Sequence, residues 1–443
     1  MDSTNLSLLA KCNSSFTGCS SCNNWDQRGY IFGTCQRYRQ PIRMTTYDIA
    51  VVGGGPAGLS AAYAAAKAGG KVILLEKDDS IGHTIRTSGV TWIDEIERLG
   101  INSNHYNPIK NYSFLSSSNE VTIRGVTPKA CVLNVRSTYQ YLAMLAAEAG
   151  AEIMVRSRVT NVVTTNEARR ICGLKARTPR GNTVIECNAV IDASGFSSSI
   201  ARYLGIVNKW KRYGIGAEYE CYCENLDHET WILMVGKAYS DAGYAWIFPV
   251  SKNKARIGVG VGRPESYSDP LKKLNYIMDK KLRPLKEIGK IQPIELHYGF
   301  IPNEGPRTPI VYDRLLLVGD SAGQSNPLVL EGIRYAIEYG RLAGDIVAKC
   351  APENCSKEGL AEYEKIWRAK NQGQITSALR VQKRWIGLSD EEWDREIDIL
   401  REMSVDEFVD FIKAKFNLSK LMKLALNHPT LATRQLLSLV LKS

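Results

Sequence analysis

From Tyr47 to Val52 the side chains are apolar with only Asp48 interrupting, the mark of a buried strand rather than of a strand with one wet face. Gly53-Gly54-Gly55-Pro56 breaks the run, a small-residue segment from Ala57 to Ala68 reads as a closely packed helix, and Lys71-Val72-Ile73-Leu74-Leu75-Glu76-Lys77 is a second buried strand. Strand, turn, helix and strand make the opening βα unit of a parallel sheet. A loop from Gly82 to Gly89 follows, then a predicted helix over Trp92–Leu99, β-rich segments near 111 to 135, a helix from Val135 to near Gly150, and a strand at Glu152–Val155. Residues 156 to 188 read as a meander with a turn at Gly181-Asn182, and Ala189–Ala193 as a strand running into Ser194–Ser199. Alternation dominates from about 210 to 300, with a Lys-rich helix near 269 to 286. A last buried strand, Arg314–Val318, leads into Gly319–Gly323 and a helix over Glu331–Lys349; beyond 355 the pattern is helical throughout.

The expected organisation is an α/β protein in five parts. Residues 1–43 form a Cys-containing extension outside the core fold, 44–160 a dinucleotide-binding segment and 161–310 a mixed region with a β-sheet substrate lobe. Residues 311–355 return to the first domain and 356–443 form a helical cap. Met44 stands just before the first strand and is an alternative translation start. Cys12, Cys19, Cys22 and Cys35 hold one CxxC spacing, too loose a pattern to assign a metal, and none is assigned.

The 443 residues carry a net charge of +11, which suits an anionic substrate, an acidic protein or an anionic membrane surface equally. No recognition motif accompanies the charge, so nucleic acid is not expected as a partner. No 18-residue apolar run and no signal-type start is present, and the expected location is cytoplasmic. Eleven cysteines in a chain this long do not define a disulfide scaffold.

The glycines after the first strand have separate duties in a dinucleotide site: Gly53 for the tight turn, Gly55 for approach to a pyrophosphate, and Gly58 for helix-to-strand packing. Glu76 ends the second strand at the distance, about 20 residues on, expected of a ribose-hydroxyl acceptor. The strand before Gly319-Asp320-Ser321-Ala322-Gly323 delivers Asp320 to its carboxyl end, where it can accept hydroxyl hydrogen bonds as a second cofactor contact.

With Asp192-Ala193-Ser194-Gly195 and Tyr244-Ala245-Trp246-Ile247-Phe248-Pro249 added, the chain resembles the geranylgeranyl reductase family over about residues 46 to 350. The resemblance implies a glutathione-reductase-type FAD-binding Rossmann fold, with a β-sheet substrate lobe and helical C-terminal region, related to aromatic hydroxylases. It implies FAD at Gly53, Gly55, Ala57, Gly58, Glu76, Lys77, Arg86 and Gly195, with Arg136 along the ribityl and phosphate region and Asp320 on the ribityl-pyrophosphate portion. Gly323, Asn326, Pro327 and Gly332 would shape the isoalloxazine pocket, and Tyr244, Trp246, Phe248 and Pro249 would border a lipid cavity.

Two departures qualify what is carried over. Ser88 stands where many relatives have a cysteine in the loop Arg86-Thr87-Ser88-Gly89, and a hydroxyl lacks the acidity of a thiol. Ser194-Gly195 replaces the Asp-Gly pair of the hydroxylases, with the acid displaced to Asp192, which weakens a monooxygenase reading.

The expected activity is FAD-dependent saturation of isoprenoid double bonds in a prenyl lipid or prenyl diphosphate; a monooxygenase and a quinone-linked electron-transfer flavoprotein are the alternatives. Ser88, Tyr244, Trp246 and His83 are the catalytic candidates, with no proton donor settled among them. Reduced ferredoxin, as an acidic carrier protein, or NAD(P)H would supply electrons. Lysines among apolar residues in Phe408–Phe416 and Leu418–Leu424 suit either a cap on the protein core, the favoured reading, or peripheral attachment to the inner face of a membrane.

Overall fold

The computed structural model describes residues 45–165, 170–353 and 355–415. The first buried strand, Thr45–Val52, is central in an eight-stranded sheet and pairs in parallel with Val72–Leu75 on one side and Gly181–Asp192 on the other. Glu152–Met154 extends the parallel set beyond Val72–Leu75, and Leu315–Leu317 extends it beyond Gly181–Asp192. Residues 158–164 and 171–178 continue antiparallel from the long strand Gly181–Asp192, as the Gly181 turn predicts.

The fingerprint helix, Pro56–Lys67, packs between this sheet and the helix Ile333–Cys350. Its alanines permit a close approach, and the partner helix answers with Gly340 and Gly344. A Cβ on Gly340 would enter the Ala57 carbonyl, and one on Gly344 the Ala61 carbonyl. The substitution-sensitive surface therefore belongs to both helices, and it holds the two sequence-distant halves of the first domain together.

The second sheet has seven strands in the order Ile291–Pro302, Tyr213–Cys223, Lys254–Arg263, Gly243–Ser251, Thr230–Met234, Asn111–Leu115 and Glu120–Arg124. Residues 111–124, which the sequence pattern puts inside the dinucleotide-binding segment, form its last two strands. One face is covered by the helix Pro270–Asp279, whose Leu274 and Ile277 join Ile257, Val259 and Val261 in one apolar cluster. Period-two alternation then sends Gly258, Gly260 and Gly262 to the opposite face. A small third sheet pairs Ala130–Leu133 with Val90–Trp92 and Tyr106–Ile109.

Three helices, Lys357–Ile386, Asp390–Arg401 and Val405–Ile412, complete the described chain. Ser389 with Glu392 and Ser404 with Glu407 form reciprocal capping boxes that start the last two. Phe408, Val409, Phe411 and Ile412 are buried, and buried Lys413 pairs with Asp94 at 2.7 Å and Glu95 at 3.1 Å. Through Lys415 this segment is thus a cap on the protein core. Phe416 and Leu418–Leu424 lie outside the described residues, as do Cys12, Cys19, Cys22 and Cys35. No described helix is long and apolar enough to cross a membrane. Cys350 and Cys355 form a disulfide, while Cys131, Cys172, Cys187, Cys221 and Cys223 are free thiols.

Candidate cofactor and substrate site

Gly53 adopts φ +111°, a conformation that favours glycine, and its N–H donates to the Leu75 carbonyl at 2.9 Å. The Gly54 N–H donates to Glu76 Oε2 at 2.6 Å and the Asp78 N–H to Glu76 Oε1 at 2.8 Å, which fixes the acid at the strand's end. A Cβ on Gly58 would be driven into the Gly53 carbonyl, whereas one on Gly55 would meet nothing. Gly58 therefore packs the helix on the turn, and Gly55 leaves open space beside the backbone. No side chain caps the first helical turn and no acid stands in it, which suits an anion at that terminus.

The turn opens into a cavity of about 840 Å³. Gly53, Gly55 and Glu76 lie at one end, and Tyr244, Trp246 and His297 lie on the wall of the second sheet. Asp320 projects into it from the turn after Leu315–Leu317, its carboxylate without a partner among the described residues; burial pushes that carboxyl up to about 6. An unpaired acid facing a glycine-lined dinucleotide turn fits the hydroxyl donors of a ribityl chain, and Glu76 fits those of the adenosine ribose. The residues present thus suit FAD.

Ala57, Lys77, Arg86, Ser88, Gly195 and Gly332 also line the cavity. Lys77 and Arg86 both pair with Asp78, at 3.1 and 3.0 Å. The loop carrying Arg86 and Ser88 lies hard on the edge strand: a Cβ on Gly299 would strike the Arg86 carbonyl, and Arg256 Nη1 donates to the Ser88 carbonyl at 2.8 Å.

Other expected residues stand elsewhere. Arg136 is tied to the Gly82 carbonyl at 3.1 Å and to Glu295 at 2.9 Å, outside the cavity lining, so it braces the loop. Gly323 packs against the Gly305 carbonyl and Trp210. Buried Asn326 donates to the Ile412 carbonyl at 2.9 Å and accepts from the Leu328 N–H, and Pro327 offers its carbonyl to Gln382. Those two hold the loop in place, and the next three residues, Leu328, Val329 and Leu330, supply the wall. His83 is exposed in its turn and is not among the residues lining the cavity.

The glycine face of the second sheet is a trough. The Trp246 ring lies over Gly258, where a Cβ would collide with it, and beside Gly216 and Gly260. Its indole N–H donates to Glu218 Oε2 at 3.0 Å. Tyr244 donates its hydroxyl to the Val329 carbonyl at 2.7 Å, and burial pushes that phenol well above its ordinary range.

The charged end of this trough falls in no contiguous sequence motif. Buried Glu218 and His297 face each other across neighbouring strands, with Nδ1 3.0 Å from Oε1. Buried Arg256 bonds Glu220 at 3.2 Å and the Leu133 carbonyl at 3.0 Å. The signal was an inverted strand: His297 is 3% exposed while its neighbours Leu296 and Tyr298 are 41% and 39% exposed.

Comparison with known proteins agrees with this geometry. Residues 48–212 match the model for FAD dependent oxidoreductases, and 213–301 that for the geranylgeranyl reductase catalytic domain. The chain is 32% identical over 357 residues to digeranylgeranylglycerophospholipid reductase 2 of Methanothermobacter thermautotrophicus, covering 79% of this chain and 90% of the relative. It is 33% identical over 364 residues to the digeranylgeranylglycerophospholipid reductase of Methanocaldococcus jannaschii, covering 80% and 91%. A geranylgeranyl bacteriochlorophyll reductase-like structure from Thermoplasma acidophilum superposes with a TM-score of 0.78 at 24% identity, covering 90% of this chain and all of that one. A flavin-dependent brominase shares the fold at a TM-score of 0.65 and 19% identity, covering 88% of this chain and 99% of its own. With a dinucleotide turn, an acid-lined cavity and an aromatic trough on one chain, 79% and 80% of which aligns with these two relatives, the protein belongs to the geranylgeranyl reductase family of FAD-dependent oxidoreductases.

Proposed function

We propose that the chain saturates isoprenoid carbon–carbon double bonds in a prenyl lipid or prenyl diphosphate. The observation that carries this reading is the continuity of one cavity from the dinucleotide turn to the aromatic trough. The relatives are named for a digeranylgeranyl glycerophospholipid, which supports a prenyl lipid as the substrate class.

Bound and reduced, FAD would supply a hydride, one proton with two electrons, to one alkene carbon, and a proton would add to the other. Gly53, Gly55 and the Pro56 helix start would receive the pyrophosphate, Glu76 the ribose hydroxyls and Asp320 the ribityl hydroxyls. Trp246 and Tyr244 give the isoprenoid a rigid apolar wall, and with each polar tip tied to protein, that wall keeps one shape. Ser88 offers a hydroxyl near this wall and cannot act as a thiol acid.

The outward row Leu296, Tyr298 and Phe300 of the edge strand is exposed, and Tyr298 and Phe300 also border the cavity. Lipid would enter there from an anionic membrane surface attracted by the basic chain. Reduced ferredoxin or NAD(P)H would deliver the electrons.

The test is anaerobic mass spectrometry of geranylgeranyl lipids incubated with photoreduced, FAD-loaded protein. A gain of two hydrogens per saturated bond, confined to the reduced enzyme, is expected. No mass gain across geranylgeranyl, menaquinone-type and phospholipid substrates, with flavin reduction verified, would overturn the reading in favour of a quinone-linked or oxygen-using flavoprotein.

A further inference from the structure

We propose that Glu295, His297 and Glu218 form a proton relay that brings one solvent proton into the trough for each bond saturated; the proposal rests on the reductase reading above. Saturation consumes a proton as well as a pair of electrons, and a lipid lying in the trough displaces the water that would otherwise supply it. Tyr244 is a poor source, because its hydroxyl is committed to the Val329 carbonyl and burial disfavours its ionised form.

The three residues lead from solvent to trough. Glu295 is half-exposed, its Oε2 3.5 Å from His297 Nε2. That nitrogen is buried and makes no hydrogen bond among the described residues. On the other side of the ring, Nδ1 lies 3.0 Å from Glu218 Oε1, and Glu218 lines the cavity while its second oxygen holds the Trp246 indole. The surrounding charges have other partners. Arg256 is 3.9 Å from Glu218 but bonds Glu220, the Ser88 carbonyl and the Leu133 carbonyl; Lys254 takes the other oxygen of Glu220 at 2.9 Å, and Arg136 takes Glu295 Oε1 at 2.9 Å.

A charged cluster placed in a wall meant for an isoprenoid is costly to desolvate and is hard to explain as packing. Arg256 and Glu220 do fasten the loop, but His297 with an unused ring nitrogen fastens nothing on that side. In the step itself, one C–H bond would form with the hydride, one proton and two electrons, that reduced FAD supplies when bound. The π pair closes the second C–H bond on the proton of the Glu218 carboxyl. Glu218 recovers a proton from His297 Nδ1, and His297 recovers one at Nε2 from the Glu295 side.

Three variants of the full FAD-loaded chain test this: H297Q, E218Q and E295Q. Single-turnover saturation of a geranylgeranyl lipid by photoreduced protein is expected to slow about 100-fold in H297Q and E218Q and about tenfold in E295Q, with KM changed less than about twofold. Anaerobic reoxidation by ferricyanide, which needs no alkene protonation, should stay within about twofold. In ¹⁵N-histidine spectra of the oxidised protein, the ring signal missing from H297Q should shift in both E218Q and E295Q, and with only five histidines it can be assigned by loss. If H297Q does not fold, E295Q at the surface end carries the same readouts.

Saturation at the wild-type rate in the folded variants, a ring signal indifferent to both carboxamides, or ferricyanide reoxidation falling in step with saturation would each overturn the relay. A wild type that saturates no lipid while its ring signal responds to both carboxamides would support the proton path and sink the reductase reading instead.

Discussion

The two ends of the cavity are built by opposite means. The nucleotide end is built largely by one contiguous stretch, Tyr47 to Lys77, in which a Cβ on Gly53 or Gly58 meets a backbone carbonyl and one on Gly55 meets open space. The trough comes from four strands spread over residues 213–302, and its Gly216, Gly258 and Gly260 meet a side chain, the Trp246 ring. At the first end sequence neighbours make the geometry; at the second, cross-strand neighbours do. A change at either end should therefore break a different property.

The largest effect is expected for Gly58→Val. Its Cβ has no room beside the Gly53 carbonyl, so the helix must leave the turn proposed to receive the cofactor. The purified variant should carry no flavin absorbance and should lose about 3 kcal/mol of stability or more in a denaturant titration, at the upper end of the overpacking range. Retention of FAD at wild-type stoichiometry would show that the turn is more pliable than its contacts imply.

Gly258→Ala is the matching lesion in the trough, where the added methyl collides with the Trp246 ring. FAD should remain bound. The ring must move by about an ångström, a displacement that can cost on the order of 100-fold in rate, so lipid saturation should collapse while flavin content holds. Equal loss of FAD and turnover would erase the distinction between the two ends.

The same contrast governs what was legible in the sequence. Gly53, Gly55, Gly58 and Glu76 were readable because they fall in one fingerprint spanning about 25 residues, and Tyr244 and Trp246 because they fall in a contiguous motif. His297, Glu218 and Glu295 were hidden because alternation on Ile291–Pro302 is inverted: polar residues face inward and Leu296, Tyr298 and Phe300 outward. Only the register of Glu218 opposite His297 reveals that the inward charges belong together. Asn326 and Pro327 brace the loop whose next residues, Leu328 to Leu330, line the cavity, and sequence proximity cannot say which residue braces and which lines. The Gly340–Gly344 contact, likewise, acquires meaning only beside the alanines of Pro56–Lys67.

A smaller, pH-dependent effect is expected at Asp320. Burial raises its carboxyl from 3.8 to about 6 in the folded protein, so ionisation is disfavoured there relative to the unfolded chain. The penalty is therefore absent below about 4, grows as pH rises from about 4 to about 6, and is complete above about 6. Hydroxyl donors on FAD favour that charged form, so FAD affinity of the apoprotein should rise with pH across about 5 to 7 and then level off. Asp320→Asn should flatten this profile, lower FAD affinity at pH 8 by about tenfold, and raise apoprotein stability there. Calorimetric titration across the pH range checks the sign; tighter binding at pH 5 than at pH 8 would contradict it.

The smallest change is expected for Tyr244→Phe, and it separates anchoring from proton delivery within the trough. The variant loses one hydrogen bond to the Val329 carbonyl while keeping the ring between the motif strand and the loop of Leu328–Leu330. A net loss of about 1 kcal/mol in stability follows from one such bond, with the carbonyl left to find another donor. Saturation should fall less than about fivefold, because the hydroxyl is an acceptor's partner and not a free acid. A fall of about 100-fold in kcat with KM unchanged would instead make Tyr244 the proton source. The charged end of the trough would then be a structural clamp built around Arg256.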